Sequence, residues 1–106
     1  MFYDEIQATK ACEEDPSLIY ELIKEGHMEL VGKLLKKKIV SINTKDKEDN
    51  TVLMKLAKLK QYDMVLDYIN DPDYDINHQN SEGNTIMHIL AKKDYVYIAN
   101  IIKKLK

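Results

Sequence analysis

The chain has no arginine and no tryptophan, and only one cysteine, one phenylalanine, two prolines and three glycines. Each shortage excludes a class of protein. The one cysteine, Cys12, has no internal disulfide partner, which fits a reducing compartment. Without arginine there is no planar fork to read phosphates or guanine edges bidentately, and a net charge of −2 adds no attraction to a polyanion. Nucleic acid is therefore not an expected partner. So few prolines and glycines leave no flexible linker and no low-complexity tract. No apolar run approaches the ~18 residues that suggest a membrane span. Met1-Phe2-Tyr3-Asp4-Glu5 carries acids where a secretory leader carries basic residues. A cytoplasmic protein with no membrane contact is expected.

What is present is a core and a pattern. Leu, Ile, Val and Phe make up 29 of the 106 residues, too many for a disordered chain, and the length suits one domain. Charge is segregated. Residues 1–30 carry −6, residues 31–65 carry +5, residues 66–91 carry −5 and residues 92–106 carry +4. Beneath the charge lies an internal repeat. Ile42-Asn43 recurs as Ile76-Asn77, Asn50-Thr51 as Asn84-Thr85, Leu53 as Met87, Ala57 as Ala91 and Met64-Val65 as Ile98-Ala99, always 34 residues apart. One step back, Leu30-Val31 aligns with Met64-Val65.

Each unit reads as helix–turn–helix. Asp15-Pro16 supplies a cap and a proline for the first helical turn, followed by Leu18, Ile19, Leu22 and Ile23 on one face. Gly26 ends that helix and His27 opens the next, whose apolar stripe is Leu30, Val31, Leu34 and Leu35. Lys36, Lys37 and Lys38 close it, where cations complement the helix dipole. Helices this short must be stabilised by stacking on neighbours. An additional helix is expected over residues 3–13, with Phe2, Ile6 and Cys12 facing inward.

These residues resemble the ankyrin-repeat family, whose signature is Thr-Pro-Leu-His-x-Ala at the start of a unit's first helix. Thr85-Ile86-Met87-His88-Ile89-Leu90-Ala91 matches at Thr, His and the final Ala, with one residue extra before the Ala. Thr51-Val52-Leu53-Met54 is a weaker copy without Pro or His. Gly26-His27-Met28-Glu29-Leu30-Val31 is similar to the Gly-His-Leu-Glu-Ile-Val that opens the second ankyrin helix, and Ile42-Asn43 and Ile76-Asn77 to the Val-Asn after it. The period of 34 is also that of tetratricopeptide repeats, but their Trp, Gly and Pro pattern is missing. The resemblance implies an all-α helix–turn–helix repeat solenoid: an N-terminal helix over 1–15, then units at 16–43, 44–77 and 78–106. It also implies that residues 43–50 and 77–84 form projecting fingers.

Catalytic and metal readings carry little weight. Cys12 with His27, His78 and His88 could supply a nucleophile and a base. However, His27 and His88 stand where the ankyrin pattern places structural histidines, and Cys12 lies on an apolar stripe. Asp71, Asp73, Asp75, Asn77 and Glu82 imitate the spacing of a calcium loop, yet its obligatory glycine is Ile76 here, so a solvated acidic turn is expected. No glycine-rich phosphate loop or zinc-spaced Cys/His set occurs. The expectation is a protein without enzymatic activity, cofactor or metal.

What remains is surface. Lys24, Lys58 and Lys92 recur at the 34-residue period and form a candidate ladder, flanked by Leu59 and Lys93 and by the finger residues Lys45 and Lys47. The resemblance places the ladder on the concave face, and it suits an acidic segment of a partner protein; dipole compensation alone is the plainer account. Tyr62, Tyr68, Tyr95 and Tyr97 are secondary contact candidates, with Tyr68 assigned to the core. A second functional reading is weak self-association, or membership of a longer array, through Ile101, Ile102 and Leu105.

Overall fold

Side-chain caps start several of the helices. In the computed structural model, which describes residues 4–93 and Lys103, the Asp4 carboxylate accepts the Gln7 N–H at 2.7 Å and opens α1, Glu5–Glu14. Asp15 accepts from the Ser17 N–H and hydroxyl at 3.2 and 2.6 Å. With Pro16 it sets a 3-10 turn, Pro16–Leu18, that runs straight into α2, Ile19–Lys24. After a tight turn comes α3, Met28–Lys36. Thr51 caps α4, Val52–Lys58, reciprocally: its Oγ1 accepts the Met54 N–H at 3.3 Å and Met54 Sδ accepts its N–H at 3.5 Å. α5 spans Tyr62–Tyr68 and α6 spans Ile86–Lys93. Thr85 and His88 repeat the reciprocal arrangement at the start of α6, with 3.4 Å to Thr85 Oγ1 and 3.1 Å to His88 Nδ1. Among the described residues all regular structure is helical, apart from one isolated antiparallel bridge between Lys45 and Thr51.

The 34-residue period recurs in backbone geometry as well as in residue type. His27 N–H donates to Leu22 O, and Gln61 N–H donates to Leu56 O, both at 2.9 Å. Gly26 N–H donates to Ile23 O as Lys60 N–H does to Ala57 O. Gly26 and Lys60 both take positive φ, 85° and 62°. In the loops, Asp46 Oδ1 accepts the N–H groups of Glu48 and Asn50, and Asn80 Oδ1 accepts those of Glu82 and Asn84. Asp49 and Gly83, at φ 66° and 80°, are the matching left-handed positions.

Where the same left-handed turn is occupied by glycine in one unit and lysine in the next, stability should respond with opposite signs. A Cβ on Gly26 would meet nothing within 4 Å, so Gly26→Ala incurs only torsional strain. A loss of about 1 kcal/mol is expected for it, and a gain of up to about 1 kcal/mol for Lys60→Gly. Urea unfolding of both variants checks this, and shifts of the same sign would contradict a shared turn geometry.

The core is centred on α4, where Val52, Leu53, Met54, Leu56 and Ala57 are all buried. This helix touches α5, α6 and α2, while α2 packs on α3. α1 lies against the 3-10 turn and α3, burying Ala8 and Cys12. Ile6 corrects the sequence expectation: it is 70% exposed. Ala8 and Cys12, one turn apart, define the buried stripe, and the 3.6-residue period carries Ile6 to the opposite side. Phe2 lies outside the described residues, as do Tyr95, Tyr97, Ile101, Ile102 and Leu105. No helix among the described residues is long and apolar enough to cross a membrane.

Polar seams join the two loop regions. Asn80 Nδ2 donates to Asn50 Oδ1 at 2.8 Å, with both residues buried, and Ser81 N–H donates to Glu48 O at 2.9 Å. Asn43 Nδ2 donates to Asp73 O, and Asn43 Oδ1 accepts from Asp75 N–H. The charge blocks serve the same end. Lys33 and Lys37 clasp Glu5 at 3.0 and 2.9 Å, Lys38 reaches Asp73 at 2.9 Å and Lys58 reaches Glu82 at 3.8 Å. Each of these pairs links a lysine of the basic block 31–65 to an acid of the acidic block before or after it.

Candidate partner-binding surface

The ends of two helices and one loop build the surface. Lys24 is the last residue of α2, Lys55 and Lys58 lie in the last turn of α4, and Leu59 follows as its C-cap. Lysine at these positions also complements the negative end of each helix dipole. Lys45 and Lys47 flank Asp46, whose Oδ1 accepts two backbone N–H groups and whose Oδ2 accepts the Asn50 side-chain amide, so their turn is held rigidly. Beneath, the Tyr20 hydroxyl lies 2.6 Å from Thr44 O and 2.8 Å from Asn50 O, fixing α2 to the loop. Tyr20, Met54 and His88 are spaced by 34 residues, and each spends its polar atom on backbone near a helix start.

Two depressions meet over Tyr20. One, of about 390 Å³, is lined by Tyr20, Glu21, Lys24, Asp46, Lys55 and Leu59. The other, of about 530 Å³, is lined by Ser17, Tyr20, Glu21, Lys45, Asp46, Lys47 and Glu48. Tyr20, Glu21 and Asp46 line both, so the two depressions adjoin and together are called the trough. Leu59, 44% exposed, is its apolar element. Among the described residues, the side chains of Glu21, Lys24, Lys45, Lys47 and Lys55 make no ion pair, in contrast to Lys33, Lys37, Lys38 and Lys58.

Lys24, Lys45, Lys47 and Leu59 are therefore brought together. Lys58 does not line the trough: its side chain is 31% exposed and turns to Glu82. Lys92 is exposed on α6, also outside the trough, and the Lys93 side chain lies outside the described residues. Sequence spacing missed Lys55, Glu21 and Tyr20. Only Tyr20 carried a usable signal, as the residue one period before Met54 and two before His88.

The chemistry-bearing side chains are occupied structurally. Burial, and secondarily Asp15, pushes the Cys12 thiol above its ordinary range, away from the nucleophilic thiolate. His88 Nδ1 lies 2.9 Å from Thr85 Oγ1, and His78 Nε2 lies 2.8 Å from Asp49 O. His27 occupies the N-cap position of α3 without a side-chain cap bond, and its Nε2 lies 3.5 Å from Glu25. In the acidic turn, Asp71 and Asp75 each accept the N–H two residues on, and Asp73 pairs with Lys38. Among the described residues no three His, Cys, Asp or Glu side chains are grouped so as to hold a metal ion. Tyr68, half-buried, donates from its hydroxyl to Gly32 O at 3.1 Å.

No protein-family model, curated protein or solved structure matches this chain.

Proposed function

We propose that this chain is a non-enzymatic protein-binding module of the ankyrin-repeat kind, which holds a partner protein in the trough between Leu59 and the Lys45–Glu48 turn. The observation that carries the binding reading is the trough itself. Five charged side chains without ion pairs among the described residues and one exposed leucine converge on it, and they stand on helix ends and a turn fixed by hydrogen bonds. Such a surface meets a partner with little ordering cost. Support for the repeat reading comes from the turn, cap and loop hydrogen bonds that recur at the period of the sequence repeat. In an ankyrin stack, α2, α4 and α6 would be the first helices of successive units, and the trough would lie where their ends meet the fingers.

The test reverses charge inside the trough. Lys24→Glu with Lys55→Glu, checked for folding by circular dichroism, should reduce capture of the partner from cell lysate at least about tenfold, the equivalent of ~1.4 kcal/mol. Capture by the wild type should also weaken as salt rises, because exposed charge pairs are screened. Lys58→Glu is the comparison variant: it faces Glu82 outside the trough and should leave capture unchanged. Equal capture by the Lys24/Lys55 variant and wild type would move the binding site elsewhere.

A further inference from the structure

The trough is not uniformly basic. Its shared middle carries Glu21 and Asp46, one end carries Lys24 and Lys55 beside Leu59, and the other carries Lys45 and Lys47 with Glu48 at the edge. The Asp46 carboxylate accepts from the Glu48 and Asn50 N–H groups and from the Asn50 side-chain amide. Glu21 is exposed and makes no ion pair among the described residues, so the middle of the trough presents an unneutralised carboxylate. Along the trough the fixed charges therefore run basic, acidic, basic. A wholly acidic segment would satisfy both ends while pressing a carboxylate against Glu21, and like-charge contact at an interface is a strong means of rejecting a partner.

We propose that the trough selects a partner segment of alternating charge. One basic side chain sits over Glu21 between two acidic side chains, one facing Lys24 and Lys55 and the other facing Lys45 and Lys47, with an aliphatic side chain beside the first acid resting on Leu59. This specificity rests on the protein-binding reading above and adds the chemistry of the occupant. The flexible lysines at each end adapt to the acids, whereas the middle is set by the helical placement of Glu21 next to the hydrogen-bonded Tyr20. Discrimination is therefore concentrated at the central position.

Two short capped peptides test it. They are identical except at the central residue, lysine in one and glutamate in the other, with an aspartate on each side and a leucine next to one aspartate. Titration of each into the full chain, followed through the Leu59 methyl and Tyr20 ring signals by NMR, gives both affinities. The lysine-centred peptide should bind at least about fivefold more tightly, in keeping with one favourable exposed charge pair replacing an unfavourable one. Glu21→Lys, an exposed substitution verified for folding by circular dichroism, should invert that order. Equal or tighter binding of the glutamate-centred peptide to wild type would overturn the alternating-charge proposal and leave protein binding standing on the charge-reversal experiment. No movement of the Leu59 or Tyr20 signals with either peptide would overturn the trough's role in this recognition. Loss of lysate capture, not peptide preference, decides the broader reading.

Discussion

Leu53→Ala is expected to lower the stability of the chain by about 2–5 kcal/mol, the range for emptying a fully packed leucine site. Leu53 is 0% exposed and sits in the helix that touches α2, α5 and α6 together. A helix packed on three others has little freedom to shift and fill a cavity without giving up contacts elsewhere. Against a total of roughly 5–15 kcal/mol for an ordinary domain, this is a large share. Short helices supply little of their own stability, so the loss should appear as unfolding of helices on both sides of α4. Denaturant unfolding followed by far-ultraviolet circular dichroism measures it. Leu59→Ala, on an exposed side chain one turn beyond the core, should change stability by less than about 0.5 kcal/mol. A Leu53→Ala loss under about 1 kcal/mol would contradict α4 as the packing centre.

That contrast also shows what was readable in the sequence. The start of α4 at Thr51 was legible as a weaker copy of the one at Thr85, because a side-chain cap is a local device. The period of 34 was legible for the same reason. Turns at Gly26 and Lys60, caps at Thr51 and Thr85 and the Asx loops at Asp46 and Asn80 are local devices, complete within a few residues. Contacts between units were not legible. Nothing in the composition says that Asn50 and Asn80 bond one another in the interior, since either alone reads as a turn residue.

The site was half legible. Lys24, Lys45, Lys47 and Leu59 converge on the trough, but the ladder logic chose Lys58 where the helix end presents Lys55. Equal spacing picks out equivalent positions in successive units. Within the last turn of α4 it is Lys55 that lines the trough, while Lys58 lies 3.8 Å from Glu82. Ile6 fails for a related reason. Hydrophobicity suggested an inward residue, but α1 is buried through Ala8 and Cys12, two small side chains that allow close approach.

Alkaline pH should unfold the chain through Tyr74, which is buried, and Tyr20, which is half-buried, and this is the second large effect expected. Burial chiefly raises the Tyr74 hydroxyl to about 12, with Thr51 opposing and Asp75 assisting, and burial followed by the Asp46 charge pushes Tyr20 higher still. Both groups titrate near 10 when unfolded. The folded state therefore keeps its protons while the unfolded state loses them. Stability is fully present below about pH 10 and is lost as pH rises through about 12. The interval from 10 to about 12 for Tyr74 alone corresponds to roughly 3 kcal/mol, and Tyr20 adds to it. Glu5 and Asp73 hold the Lys33 and Lys38 ammonium groups above their ordinary range, but those ion pairs are exposed and contribute little to the alkaline loss. Tyr74→Phe separates the two sources. It leaves Thr51 Oγ1 without its 2.9 Å partner, at a neutral-pH cost of about 1 kcal/mol, yet it should flatten the alkaline fall in stability. Urea midpoints across pH, followed alongside tyrosinate absorbance, give both quantities. Titration of all seven tyrosines together near pH 10, with no accompanying loss of helix, would show that Tyr20 and Tyr74 are not held neutral by the fold.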